Sequence, residues 1–259
     1  MKKYSPYIHF IICLLFCTCC NTLRAQVVNI EDRRMQVPDS VHFMGFADLG
    51  GYFFKNDKSL LSIKGNLQLE YYKDRHFVIS LTNFNLINSD EQNFLNDGFQ
   101  HIRYNYIANK WITLEAFGQL QYNERTRLLL RGLTGAGPRL RLKPIFKQRV
   151  HLGIIPMYEY NQIRDTILIH RDIRLSNYLS IHVKLFHNKI TVSSTTYFQP
   201  LINDWSNFRV SSETSILFQI LKRWNFRSSF TYSYDNDHRI PENIPDQVYS
   251  FNNGLRWDF

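Results

Sequence analysis

The feature that most constrains this chain is an alternation of apolar and polar residues that begins near Phe43 and is still running at Phe259. Period two is the mark of strands with one apolar and one polar face, because successive side chains of an extended chain point to opposite sides. In segment 61–71, Leu61, Ile63, Leu67, Leu69 and Tyr71 are apolar, whereas Ser62, Lys64, Asn66, Gln68 and Glu70 are polar. Ile112, Leu114, Ala116 and Leu120 stand in the same way against Thr113, Glu115, Gln119 and Gln121, and Ile173, Leu175, Leu179, Ile181 and Val183 against Arg174, Ser176, Ser180, His182 and Lys184.

Twelve such runs can be marked, at 43–54, 59–72, 76–87, 98–108, 111–123, 127–142, 149–161, 172–186, 189–200, 206–221, 224–235 and 247–259. Connections at 73–75, 108–110, 187–188 and 222–223 are tight, and those at 88–97, 162–171, 201–205 and 236–246 are longer. An even strand count, with short turns on one rim and longer loops on the other, predicts an all-β fold: a single antiparallel up-and-down transmembrane β-barrel with its short turns in the periplasm. The tight turns predict register. Centring the first on Asp74 pairs Tyr71 with Phe77, Leu69 with Ile79 and Leu67 with Leu81. Centring the second on Asn109 pairs Tyr104 with Leu114 and sets Arg103 opposite Glu115. A His187-Asn188 hairpin pairs Leu185 with Ile190 and Val183 with Val192. Each choice brings like to like on one face.

A soluble barrel or sandwich would use the same alternation with its apolar face inward. Twelve strands would then enclose a lumen too wide to fill with the Leu, Ile and Gly on offer. No apolar run of about 18 residues follows the first few dozen positions, so helical spans are excluded.

Residues 1–25 combine Lys2 and Lys3, an apolar stretch from Ile8 to Cys20, and a small residue before a polar one at Ala25-Gln26, the plan of a cleaved signal peptide. All four cysteines, Cys13, Cys17, Cys19 and Cys20, fall inside it. Cleavage would therefore leave residues 26–42 as a periplasmic lead-in and 43–259 as a cysteine-free barrel, with neither disulfides nor a Cys-based zinc site. Removing the leader's Lys2, Lys3 and Arg24 from the 31 basic residues leaves 28 against 22 acidic ones. Nothing clusters as a basic helix or tail, and no nucleic-acid partner is expected.

Aromatic residues favour strand ends on the apolar face, among them Tyr71, Tyr104, Tyr106, Tyr122, Tyr158, Tyr160, Phe198, Phe208, Trp224, Tyr232 and Tyr234. Two interfacial belts would give this distribution. The ending Tyr249, Phe251, Leu255, Trp257 and Phe259 resembles the signal read by the outer-membrane assembly machinery, so the partners expected are that machinery and outer-membrane lipid, for a chain acting as a monomer.

At segments 98–123 (GFQHIRYNYIANKWITLEAFGQLQYN), 135–142 (GAGPRLRL), 174–180 (RLSNYLS), 194–201 (STTYFQPL) and 254–259 (GLRWDF), the chain resembles the bacterial family catalogued as domain of unknown function 481. Some of its members are labelled salt-induced outer-membrane proteins. The resemblance runs from Val28 to Phe259 and implies an outer-membrane barrel in the same location. It supplies no catalytic residues.

Chemistry is thinly marked. Barrel lipid hydrolases carry His-x-Ser with the serine activated by histidine, and none of the segments after His101, His151, His170, His182 or His238 fits. Barrel proteases use aspartate and histidine at the outer rim; His170 with Asp172, or Asp237 with His238, lie in expected outer loops but read as solvated residues. His101, His151 and His182 are read as inward-facing on nonadjacent strands, too dispersed for a metal. No cofactor is expected.

The inward face is the informative surface. Its expected basic residues are Lys64, Arg103, Arg131, Arg139, Arg141, Arg174, Lys184, Arg209, Arg227 and Arg256, with His151 beside them. The acidic ones are Asp48, Glu70, Glu115, Glu159, Glu213 and Asp258. Two functions lead on this reading, with an outer-membrane hydrolase as a further alternative. Salt-bridged ladders would plug the lumen and make the barrel a structural or envelope-integrity scaffold. An open basic lumen would make it a narrow anion-preferring channel for small anionic solutes.

Overall fold

The computed structural model describes residues 42–257 apart from 57–58, 90–92, 125, 143–147, 165–168, 187–188, 222–223 and 238–245. The expected leader and lead-in, and Asp258, Phe259 and His238, lie outside the described residues. Every regular element among the described residues is a strand: β1 (Phe43–Lys55), β2 (Ser59–Lys73), β3 (His76–Ser89), β4 (Asn93–Ile107), β5 (Ile112–Asn123), β6 (Leu128–Leu142), β7 (Arg149–Ile163), β8 (Ile169–Leu185), β9 (Ile190–Pro200), β10 (Phe208–Leu221), β11 (Trp224–Asp235) and β12 (Gln247–Trp257).

They form one antiparallel up-and-down sheet in sequence order. The sheet is rolled, since side chains meet across its concave face: Tyr178 of β8 reaches Glu115 of β5, and Arg209 of β10 reaches Glu159 of β7. β1 and β12 are its two edges, and among the described residues no ladder joins them. The strands absorb much of what the sequence assigned to loops. β3 and β4 run on to leave only 90–92 between them, and β8 begins at Ile169 rather than 172.

Register separates the turns. Between β8 and β9, Leu185 pairs with Ile190 and Val183 with Val192 as expected. At the second turn, Asn109 Oδ1 accepts from Trp111 N at 2.8 Å and Ile112 N at 3.0 Å, an Asx turn that lengthens the loop. Arg103 therefore pairs with Phe117, and Glu115 with Asn105, a slip of two residues that preserves the faces.

The first turn overturns its expectation. Asp74 takes a left-handed conformation (φ 52°), which Asp tolerates better than most residues, and the loop closes in two residues, with Lys73 opposite His76. The slip is one residue, which reverses a face. Phe77, Ile79 and Leu81 pair with Tyr72, Glu70 and Gln68, and all three are buried inside the roll.

The outer face mixes large apolar side chains with small uncharged polar ones that bond one another, as Thr82 does with Gln100 and Ser194 with Thr214. Tyr104, Tyr158, Ile102, Leu114, Leu120, Ile173, Leu179, Phe226 and Phe230 are all exposed on it. So large an exposed apolar surface is what a protein bathed in lipid presents. The concave face holds the core, and there the sequence reading was too simple. Between its charges sits an apolar cluster of Phe117, Leu133, Ile155, Met157, Tyr178 and Tyr197.

Candidate functional site in the barrel interior

Two carboxylates organise the interior. Glu159 projects inward from β7, fully buried. Its Oε2 accepts from Arg174 Nε at 2.7 Å, and its Oε1 lies 3.1 Å from Arg131 Nε and also accepts from Arg209 Nη1. Asn161, two residues along on the same face, donates to Glu159 at 2.8 Å and accepts from Arg131 at 2.6 Å. Further carboxylates balance these arginines: Arg209 Nε meets Asp235 at 2.5 Å, and Arg174 Nη2 meets Asp237 at 3.3 Å and Asn207 at 3.0 Å. Asp237 lies in the β11–β12 connection and Asn207 in the β9–β10 connection. Two outer loops are thus tied to the interior through one guanidinium.

Glu115 is the second centre, also fully buried at its side chain. Arg103 Nη1 donates to its Oε2 at 2.9 Å, Tyr178 Oη donates to the same atom at 2.7 Å, and Arg139 lies 3.9 Å from Oε1. The residues are diagonal rather than opposite, yet they meet inside on neighbouring strands. Tyr178 crosses two strands to reach Glu115 because the inward position it overlies on β7 is Gly153; a Cβ there would stand 2.0 Å from the ring. Arg103 also rests over the Phe117 ring, 5.0 Å from its centroid.

The other expected residues are more scattered. Glu70 is buried but bonds Gln68 and Tyr72, each at 2.7 Å. Lys64 and Asp48 are on the inner face and exposed. Glu213 on β10 is half-buried and Arg227 on β11 is exposed, both on inner positions. Arg256 pairs through its backbone with inward Asn225, and its side chain, like those of Trp257 and Phe259, lies outside the described residues. Tyr249, Phe251 and Leu255 are exposed on the outer face.

The histidine reading needs a correction. His151 and His182 occupy neighbouring strands, β7 and β8, with Arg149 opposite His182 and His151 opposite Ser180. His182 Nδ1 is 2.9 Å from Ser193 Oγ, a contact without a His-x-Ser motif and on the face turned away from lipid. His101 is buried, 2.9 Å from Gln119 Oε1. His170 and Asp172, assigned to an outer loop by sequence, are in β8.

Sequence reasoning also missed Asp235, and it read Asp237 as a solvated loop residue although Asp237 is buried. Asp235 ends β11 with inward parity and was there to be counted, but Asp237 meets Arg174 across 63 positions and no local signal could have found it.

A twelve-stranded up-and-down barrel, largely apolar and aromatic-ended outside and charged within, is an outer-membrane β-barrel. Over residues 47–257 the chain matches the family described as "Protein of unknown function, DUF481", and it belongs to that family. No curated protein matches it. Among solved structures, it is similar to the NanC porin at 12% identity, over 82% of this chain and 99% of that one, with a TM-score of 0.48. It is also similar to the translocator domain of autotransporter NalP from Neisseria meningitidis (10% identity, 84% and 87%, TM-score 0.39) and to the KdgM porin in complex with disordered oligogalacturonate (8%, 83% and 99%, TM-score 0.38).

Proposed function

We propose that this protein is a non-enzymatic scaffold of the outer membrane, a monomeric barrel that supports envelope integrity and whose lumen is closed by its own ion pairs. The observation that carries this reading is the Glu159 centre. One buried carboxylate gathers arginines from β6, β8 and β10, and Arg174 extends the network to Asp237 and Asn207 in two loops. Charges withdrawn from water in this way need partners, and partners drawn from four strands and two loops hold the interior rigid. Its partners on this reading are outer-membrane lipid and the assembly machinery that reads the terminal alternation.

A second reading, a narrow anion-preferring path, is favoured by one feature. The inner wall of β10–β12 is lined by small hydroxyl residues, with Ser215, Ser229, Thr231, Ser233 and Ser250 only half-buried and Arg227 exposed among them. A hydrated lane could run beside the packed half.

A strain lacking the protein distinguishes the two. The scaffold reading expects heightened sensitivity to bile salts and large hydrophobic antibiotics, restored by the wild-type gene. Unchanged sensitivity with slowed uptake of a small organic anion would overturn it in favour of the channel.

A further inference from the structure

Six basic side chains share one stretch of the inner face at the short-turn end of β6, β7 and β8. They are Arg139 and Arg141, Arg149 and His151, and His182 and Lys184. Arg139 shares the inward parity of buried Arg131 and Leu133, and Arg141 continues it. Arg141 stands directly opposite His151, and Arg149 opposite His182, so the six form a contiguous block rather than a scatter. With strands about 4.8 Å apart and same-face residues about 7 Å apart along a strand, the six run as a diagonal stripe, about 10 Å across the three strands and about 20 Å along them from Arg139 to Lys184.

Half of the block carries uncompensated charge, while Arg139 is held by Glu115. Among the described residues, Arg141, Arg149 and Lys184 make no ion pair, and all three are exposed at the mouth. The inward carboxylates nearest in register are Glu115, already engaged by Arg103, Arg139 and Tyr178, and Glu213, two strands away on β10. At the opposite mouth arginines and carboxylates are matched, as in Arg209 with Asp235 and Arg174 with Asp237. The two ends of one lumen therefore differ: one is neutralised from within, and the other gathers like charges in a concavity where low-dielectric walls concentrate their field.

We propose that this block is a binding site for a soluble multivalent oxyanion, a molecule bearing several phosphate or carboxylate groups, which enters from the periplasm. Guanidinium groups bind such oxygens through paired donors, and Lys184 adds a point charge. The Glu115 centre and Tyr178 form the floor of the cup. The proposal goes beyond the scaffold reading and does not need the plug to be intact: over a closed plug the block is a receptor cup, and beside an open lane it is the lane's anion-selective vestibule.

The test uses the full mature chain refolded in a nonionic detergent, titrated calorimetrically with tripolyphosphate at low ionic strength. Wild type should bind saturably, and the triple variant R141Q/R149Q/K184Q should bind at least tenfold more weakly. That variant should keep the wild-type heat-shifted migration on a gel, since none of its three residues holds an ion pair. The variant K73Q/R75Q alters exposed basic residues beside the β2–β3 turn at the same end, and should stay within twofold of wild type. Absence of saturable binding, or equal weakening by the two variants, would overturn the site. Phosphatidylglycerol doped sparsely into the micelles separates the two sources of such oxygens. Displacement of tripolyphosphate by this lipid would refute the soluble ligand by assigning the block to headgroups, and indifference to it supports the proposal.

Discussion

Replacing Glu159 by Gln should be among the most damaging single changes this barrel can suffer. Gln keeps the volume and one acceptor but removes the charge around which Arg131, Arg174 and Arg209 converge. The three arginines are not left equally. Arg209 keeps Asp235 at 2.5 Å and Arg174 keeps Asp237 at 3.3 Å, whereas Arg131 retains only the neutral Asn161 at 2.6 Å. The loss thus amounts to one thoroughly stranded guanidinium and two weakened ones. Breaking a buried pair by removing one partner costs about 3 to 5 kcal/mol, and the Glu159 side chain has no exposure to soften that. At about 1.4 kcal/mol per factor of ten, the folding equilibrium should fall by more than a hundredfold. Urea unfolding in detergent micelles, followed by tryptophan fluorescence, measures it. Glu213→Gln, half-buried, serves as the control and should cost under about 1 kcal/mol. Adding Arg131→Gln to Glu159→Gln should recover part of the loss as a coupling energy. A Glu159→Gln variant within about 1 kcal/mol of wild type would refute the view that this centre holds the interior together.

Three further outcomes are expected. In a double-mutant cycle, Arg103→Gln and Glu115→Gln should show favourable coupling of about 1 to 3 kcal/mol, measured by the same unfolding assay, because the pair is buried at 2.9 Å. Gly153→Val should destabilise by about 2 kcal/mol or more, since its side chain would occupy the space of the Tyr178 ring, and Tyr178→Ala in the same chain should relieve part of that cost. Bilayer hydrocarbon tolerates no open strand edge, so β1 and β12 should pair in the membrane with inner faces matched. A cysteine at inward Gly50 should then cross-link to one at inward Asn252 or Gly254 and not to one at outward Asn253, with gel mobility after oxidation as the readout.

The strands were legible because a barrel wall leaves each residue only two environments, lipid or lumen, and the alternation records them directly. Register was legible only where the turn was. Between β8 and β9 the expected pairs of Leu185 with Ile190 and Val183 with Val192 were met, but Asp74 entered the left-handed region and tightened its loop by one residue, turning Phe77, Ile79 and Leu81 inward. Nothing in the alternation of 76–87 could reveal that, since those three residues are as apolar as the lipid they were expected to face. Glu115 and Glu159 were readable as inward carboxylates. Their partners were readable only when near in sequence, as Arg103 is to Glu115. Tyr178 reaches Glu115 over Gly153, and Asp237 reaches Arg174 from a loop, by three-dimensional routes that a strand-by-strand parity count does not contain.

Ionic conductance tests the central claim, a lumen closed by its own ion pairs, most directly. Refolded mature protein inserted into a planar bilayer should give no sustained single-channel steps in 1 M KCl at moderate voltage. The Glu159→Gln variant, if inserted while folded, should give flickering openings as the arginines lose their common partner. Steady anion-selective steps from the wild-type protein would contradict the account and make the hydroxyl-lined wall of β10–β12 a pathway.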